Sequence, residues 1–162
     1  MDTIDTRAAV PADADVVADY HRRCFEATFA ELIRAGSALP PDRGGTRQQF
    51  SEWFRPDSDV ETQVVAIDGV PIAHVSTSEN RLLNLFVDPQ HQGHGIGRHL
   101  LALAEAKLSD GGHHELQLHA RVENRAAIGF YEHFGWTRSG RTIRTVEHGI
   151  AYDELVMVKN ID

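Results

Sequence analysis

The sequence predicts a mixed α+β fold: a mostly antiparallel sheet of about seven strands with one central parallel pair, flanked by about four helices. Three observations carry this expectation. Between Gln63 and Val87 the apolar residues come in short runs separated by turn dipeptides, the pattern of successive antiparallel strands. From Leu82 to Ala120 the pattern passes from strand to helix to strand, so those two strands should be parallel and joined by a right-handed crossover. After Gly135 strand-forming residues flank Glu147-His148-Gly149, which predicts a closing antiparallel pair.

Thr3 to Ala8 alternates weakly and is the expected opening strand, and Pro11 with Asp13 or Asp15 supplies a helix start. Val16, Val17, Tyr20, Cys24, Phe25, Thr28, Phe29, Leu32 and Ile33 give a broad apolar helical face, with an interruption expected near Phe25 to Thr28. Ala38 to Gly45 is a loop by its proline and glycine content, and Thr46 is the expected cap of a short helix through Phe54. Phe25, Phe29, Phe50, Trp53 and Phe54 are expected in the core, with an acceptor pocket as the alternative for their edges.

Gln63 to Ile67 and Pro71 to Ser76 form a hairpin, because Asp68-Gly69 supplies the positive φ of a tight turn. Glu79-Asn80 then turns the chain into the strand Leu82 to Val87. Asp88-Pro89 ends that strand, since proline donates nothing to a ladder. A helix begins near Gly95 with Leu100, Leu101, Ala104 and Leu108 on one face, and Asp110-Gly111-Gly112 stops it. Glu115 to Ala120 is a strand with Leu116 and Leu118 on one face and Gln117 and His119 on the other. Asn124 caps a short helix carrying Ala127, Ile128, Tyr131 and Phe134, which Gly135 ends. Trp136 to Val146 and Ile150 to Val158 complete the chain.

At 162 residues one domain spanning the chain is expected, able to bury a core without disulfides or metals. The net charge of −8 opposes general binding to nucleic acid or anionic membranes and mildly favours cationic partners such as amines. The single cysteine, Cys24, cannot form an internal bridge and no export signal is visible, so a cytoplasmic location is expected. The ten histidines are scattered rather than set at metal-ligand spacing, and no metal is expected.

Between strand and helix lies Gln92-Gly93-His94-Gly95-Ile96-Gly97. Glycines on alternate positions leave main-chain amides accessible, and amides at a helix N-terminus carry the positive end of its dipole. The turn therefore suits a phosphate or pyrophosphate, with Arg98 adding charge; the alternative is a turn that needs glycine only for packing. The spacing is neither the G-x-G-x-x-G of a dinucleotide fold nor the G-x-x-x-x-G-K-[ST] of a P-loop.

Val87, Pro89, Gln92, Gly95 and Gly97 match V-x-P-x-x-Q-x-x-G-x-G, which resembles the acyl-CoA signature of the GNAT superfamily of N-acetyltransferases. The run Asn124 to Trp136 resembles that superfamily's second signature, N-x-x-A-x-x-[FL]-Y-x-x-x-G-[FW]. The resemblance implies the family's strongly twisted sheet, acetyl-CoA as donor and direct acyl transfer to an amine. It implies that the backbone of Leu85, Phe86 and Val87 bonds the pantetheine chain. Gln92 belongs to the same signature, and Gly93, His94, Gly95, Ile96, Gly97 and Arg98 would hold the pyrophosphate. Asn124 would hold the cofactor arm, and Tyr131 would face the thioester sulfur.

A phenol there can hydrogen-bond or protonate the departing thiolate, whereas a packed core tyrosine is the alternative. An amine must lose a proton before it attacks. Some members place a glutamate five residues before the asparagine, and here that position is His119, which titrates in the useful range. The substitution puts peptide N-termini in doubt as acceptors. Glu79, Glu115 and Glu147 are weaker candidates for the base. The expected function is acetylation of a small-molecule amine; the alternatives are a protein N-terminus or lysine as acceptor, or a non-catalytic acyl-CoA sensor. A homodimer through the final strands is a further expectation.

Overall fold

The computed structural model describes residues 2–161. Seven strands form one sheet: β1 (Ile4–Ala8), β2 (Glu61–Ile67), β3 (Val70–Ser78), β4 (Arg81–Val87), β5 (Glu115–Arg121), β6 (Thr137–Glu147) and β7 (Ile150–Asn160). Across the sheet the order is β1-β2-β3-β4-β5-β7-β6, antiparallel throughout except for the parallel pair β4 and β5. The helices are α1 (Ala14–Thr28), α2 (Ala30–Arg34), α3 (Arg43–Trp53), α4 (Ile96–Asp110) and α5 (Arg125–His133), one more than expected.

The hairpin turn behaves as its dipeptide requires, with Asp68 at φ 49° and Gly69 at φ 82°. The break in the first helical stretch falls at Phe29, just beyond the expected interval. The α3 helix starts earlier than Thr46, because Asp42 is its cap and accepts from the Gly45 amide at 2.9 Å. Phe29, Phe50 and Phe54 are buried, whereas Phe25 and Trp53 are only partly so.

Period-two alternation sorts the strand residues between two cores. Val65, Val75, Leu116 and Leu118 pack with Leu100, Leu101, Ala104 and Leu108 of α4 and Ile128 of α5. On the other face Val64 packs with Val17 and Tyr20 of α1 and Phe50 of α3. A buried polar chain threads that second face. The Tyr20 hydroxyl bonds His74 Nδ1, and His74 Nε2 bonds Asn84 Oδ1 at 2.9 Å.

Two irregularities open the centre of the sheet. In the β3–β4 register Ser76 faces Asn84 and Thr77 faces Leu82, so Leu83 is one residue too many. Such a bulge bends its strand and exchanges its faces. Leu82, Leu85 and Val87 thus pack toward α4, while Phe86 packs on the α1 and α3 side. Beyond the bulge β4 leaves β5: the two are paired only at Arg81 with Gln117 and Leu82 with Leu118.

Candidate active site

Where β4 and β5 part, a cleft of about 760 Å³ enters the sheet. Leu83 to Phe86 form one wall and His119 to Arg121 the other. Asn124, Ala127 and Tyr131 of the α5 segment line it, as do Glu147, Tyr152 and Glu154 of the closing hairpin. The sequence thus brings Tyr131, His119, Asn124, Leu85 and Phe86 to one place.

The glycine turn is exposed and stands outside the cleft wall, directly after β4. Gly93 (φ 83°) and Gly95 (φ 81°) occupy left-handed backbone, and a Cβ on either would meet nothing within 4 Å. The space beside these residues is open. Gly97 is already helical and lies beside Phe130 and Leu85. Gly95 caps α4 without any side-chain bond, so the first-turn amides keep their outward positive end for an anion.

Gln92 ties the turn to the strand before it. Its Nε2 donates to the Val87 carbonyl at 3.0 Å, bracing the turn against the end of β4. The Cys24 thiol donates to the same carbonyl at 3.1 Å, so that oxygen is already engaged. Burial pushes the Cys24 thiol up to about 11, with Asp88 adding to the effect. Asn124 accepts from the Ala127 amide through Oδ1 at 3.1 Å, and this cap leaves its amide nitrogen as a donor beside the cleft.

Tyr131 is 7% exposed and packs edge-on against Phe130 and Trp136. Burial holds its phenol protonated, well above the usual tyrosine range. Among the described residues its hydroxyl has no hydrogen-bond partner and it is not one of the sealed, unpartnered polar atoms, so it meets the open space of the cleft.

His119 accepts at Nδ1 from Arg81 Nη2, 3.0 Å away. A guanidinium can only donate, so a neutral His119 carries its proton on Nε2. Burial, then Arg81 and Arg141, lower its pKa. In this arrangement the imidazole offers the cleft a donor rather than a lone pair. Glu79 and Glu115 lie outside the cleft, while Glu147 lines it.

Among the wall residues that sequence reasoning missed are Asn84, Arg121, Tyr152 and Glu154. Arg121 and Glu154 face each other across the β5–β7 ladder. Burial pushes the Glu154 carboxyl up, against a hydroxyl bond from Thr145, and Glu147 nearby raises it further while Arg81 and Arg121 pull it down. Three buried side-chain nitrogens lack a partner among the described residues: His21 Nδ1, Arg81 Nε and Arg121 Nε. His21 and Arg121 line this cleft, and Arg81 holds the His119 that does. These three nitrogens are themselves sealed; the polar groups that face the cleft come from His119, Asn124, Glu147, Tyr152 and Glu154 on its wall. Among the described residues no group of three or more His, Cys, Asp or Glu side chains is placed to hold a metal, and no helix is long and apolar enough to cross a membrane.

The sequence profile of the acetyltransferase (GNAT) family matches residues 17–136. Among curated proteins, the mycothiol acetyltransferase of Brachybacterium faecium is 34% identical over 144 residues, covering 78% of this chain and 42% of that protein. The [ribosomal protein bS18]-alanine N-acetyltransferase of Escherichia coli is 40% identical over 73 residues, covering 45% of this chain and 48% of its own. The chain thus spans about half the length of the curated relatives it matches. Among solved structures, the PaiA N-acetyltransferase of Thermoplasma acidophilum in complex with coenzyme A superposes with a TM-score of 0.75 at 16% identity, covering 98% of this chain and 99% of that one. At that identity the likeness establishes the fold, the mixed sheet with its one parallel pair. With a profile match across most of its length, the chain belongs to the GNAT family of acetyltransferases.

Proposed function

We propose that this protein transfers the acetyl group of acetyl-CoA to the primary amine of a small molecule. The observation that carries the reading is the gap between β4 and β5, with a helix N-terminus beyond one end and the Tyr131 phenol on its wall. The residues fit coenzyme A. Open space beside Gly93 and Gly95 and the outward amides at the start of α4 suit a diphosphate, with His94 and Arg98 on the same exposed turn. The unpaired stretch of β4 at Leu85 and Phe86 suits the amide groups of a pantetheine chain, and the Asn124 amide nitrogen stands on the facing side.

When bound, acetyl-CoA supplies an activated acyl carbon and a thiolate leaving group. The phenol of Tyr131, kept protonated by burial, is positioned to hydrogen-bond or protonate that thiolate. His119 Nε2–H orients the acceptor or the water that takes the amine's proton, while burial and then Arg81 favour the neutral ring. A small acceptor is supported by the charged residues Arg121, Glu147 and Glu154 on the cleft wall and by the longer of the two curated matches, to an enzyme named for mycothiol. The shorter match, to an enzyme named for a ribosomal protein, favours a peptide N-terminus as the second reading. A cytoplasmic location and a homodimer through the final strands belong to the same proposal; exposed Ile143 and Val146 on the edge strand β6 support the latter.

A thiol-release assay with acetyl-CoA over amino acids, polyamines, aminoglycosides and short peptides tests the reading. Turnover of a small amine is expected. Turnover of peptides alone would reverse the ranking, and tight acetyl-CoA binding with no thiol release from any amine would make the protein a sensor.

A further inference from the structure

Arg121 is held as few surface arginines are. Its guanidinium carbon sits 4.2 Å from the Tyr152 ring centroid and 5.0 Å from that of Phe29, so the plane is clamped by two aromatic rings. Nη2 donates to the Ser37 carbonyl at 3.3 Å, and only 11% of the side chain is exposed. Nε is sealed and makes no hydrogen bond, and the half-exposed Glu123 carboxylate pairs with it at 3.5 Å. Arginine's fixed fork matches a carboxylate, and here the fork is oriented before any ligand arrives.

Across the ladder stands Glu154, whose side chain shares that face of the sheet. It is partly buried, its hydrogen bond comes from Thr145 Oγ1 at 3.4 Å, and among the described residues no cationic nitrogen comes within the 4.0 Å of an ion pair. Cation and anion are thus side by side in one cleft, and neither neutralises the other through a direct contact. Arg121 keeps a peripheral ion pair with the half-exposed Glu123 while Glu154 has none, and two opposite charges held apart on one cleft wall are suited to be the two halves of a receptor. Glu147 adds to the anionic side, and Phe25, Leu39 and Ile150 supply an apolar surface beside it.

We propose that the acceptor is a zwitterion, an α-amino acid with an apolar side chain, whose carboxylate is taken by Arg121 and whose ammonium faces Glu154. This rests on the acetyltransferase reading above and narrows it to one class of amine. A polyamine would leave Arg121 unanswered, and the N-terminus of a long peptide has no carboxylate near its amine.

The test compares matched amines in the thiol-release assay: leucine and phenylalanine against leucinamide, phenylalaninamide and phenethylamine. The free acids should exceed their amides in kcat/KM by about ten- to a hundredfold, the range of a charge-assisted pair. Arg121→Met should abolish that preference through a higher KM for the acids, with Arg121→Lys restoring part of it. Glu154→Gln should weaken acids and amides alike. Unchanged coenzyme A affinity would show that the variants are folded. Amides or phenethylamine equal to the acids in the parent protein, or an undiminished preference in a folded Arg121→Met, overturns the proposal. Turnover of polyamines or peptides with silence on every free amino acid also overturns it, while leaving the acetyltransferase reading intact; no thiol release from any amine would remove both.

Discussion

The proposed reaction asks more of Tyr131 than of any other single side chain, and its surroundings suit it to that role. The ring is fixed by Phe130 and Trp136, so the hydroxyl has one place to point, and burial keeps the proton on the oxygen. Tyr131→Phe is expected to lower kcat by at least about tenfold, as loss of a general acid does, while acetyl-CoA affinity changes little. Steady-state kinetics beside calorimetric titration will separate the two, and equal kcat would make Tyr131 a packing residue. At this scale the sequence was partly readable. Tyr131 and Asn124 could be found because their motif is local. The contact that decides which nitrogen of His119 holds the proton could not, because Arg81 meets it only through the β4–β5 pairing. Arg121 and Glu154 were equally hidden, being neighbours only in the β5–β7 register.

The turn into α4 shows how local chemistry makes an element legible. Gly95 at φ 81° is both cap and entrance, and any β-branched residue there must leave this conformation or pay for it in strain. Gly95→Val should cost about 1–3 kcal/mol of stability and weaken coenzyme A binding by tenfold or more, since the first-turn amides would lose their common direction. Urea unfolding and calorimetry measure the two effects; unaltered affinity would place the diphosphate elsewhere. The α5 cap at Asn124 was readable for the same reason. The bulge at Leu83 was not: Leu82, Leu83 and Leu85 are all apolar, so the change of face leaves no mark on the hydropathy pattern. Asp42 outcompeted Thr46 as the α3 cap because it stands ahead of both glycines and reaches the Gly45 amide.

The molecule as a whole is sensitive to mild acid through its buried histidines. Burial lowers His74 to about 3 and His21 to about 4, whereas both titrate near 6.5 when the chain is unfolded. Between those limits the unfolded chain binds the extra protons. Stability is therefore complete above pH 6.5 and is lost as the pH falls toward the depressed values. From pH 7.5 to 5.0 the fully buried His74 alone should remove about 2 kcal/mol. Urea midpoints across that range check it, and a flat profile would mean that the imidazole is solvated. Asp13, held low by its Arg7 partner despite burial, keeps its contribution over the same interval, so the loss belongs to the histidines.

The short pairing of β4 with β5 also has a mechanical meaning. Within the sheet only two residue pairs join a left half, β1 to β4, to a right half, β5 to β7, each of which is knit by long ladders of its own. Such a seam is the sheet's most thinly paired line, and a cofactor bound as proposed would supply the rungs that the strands themselves omit. On the proposed reading, occupancy would stiffen this seam within the sheet, while the apolar core under α4 spans both halves whether or not the cleft is filled.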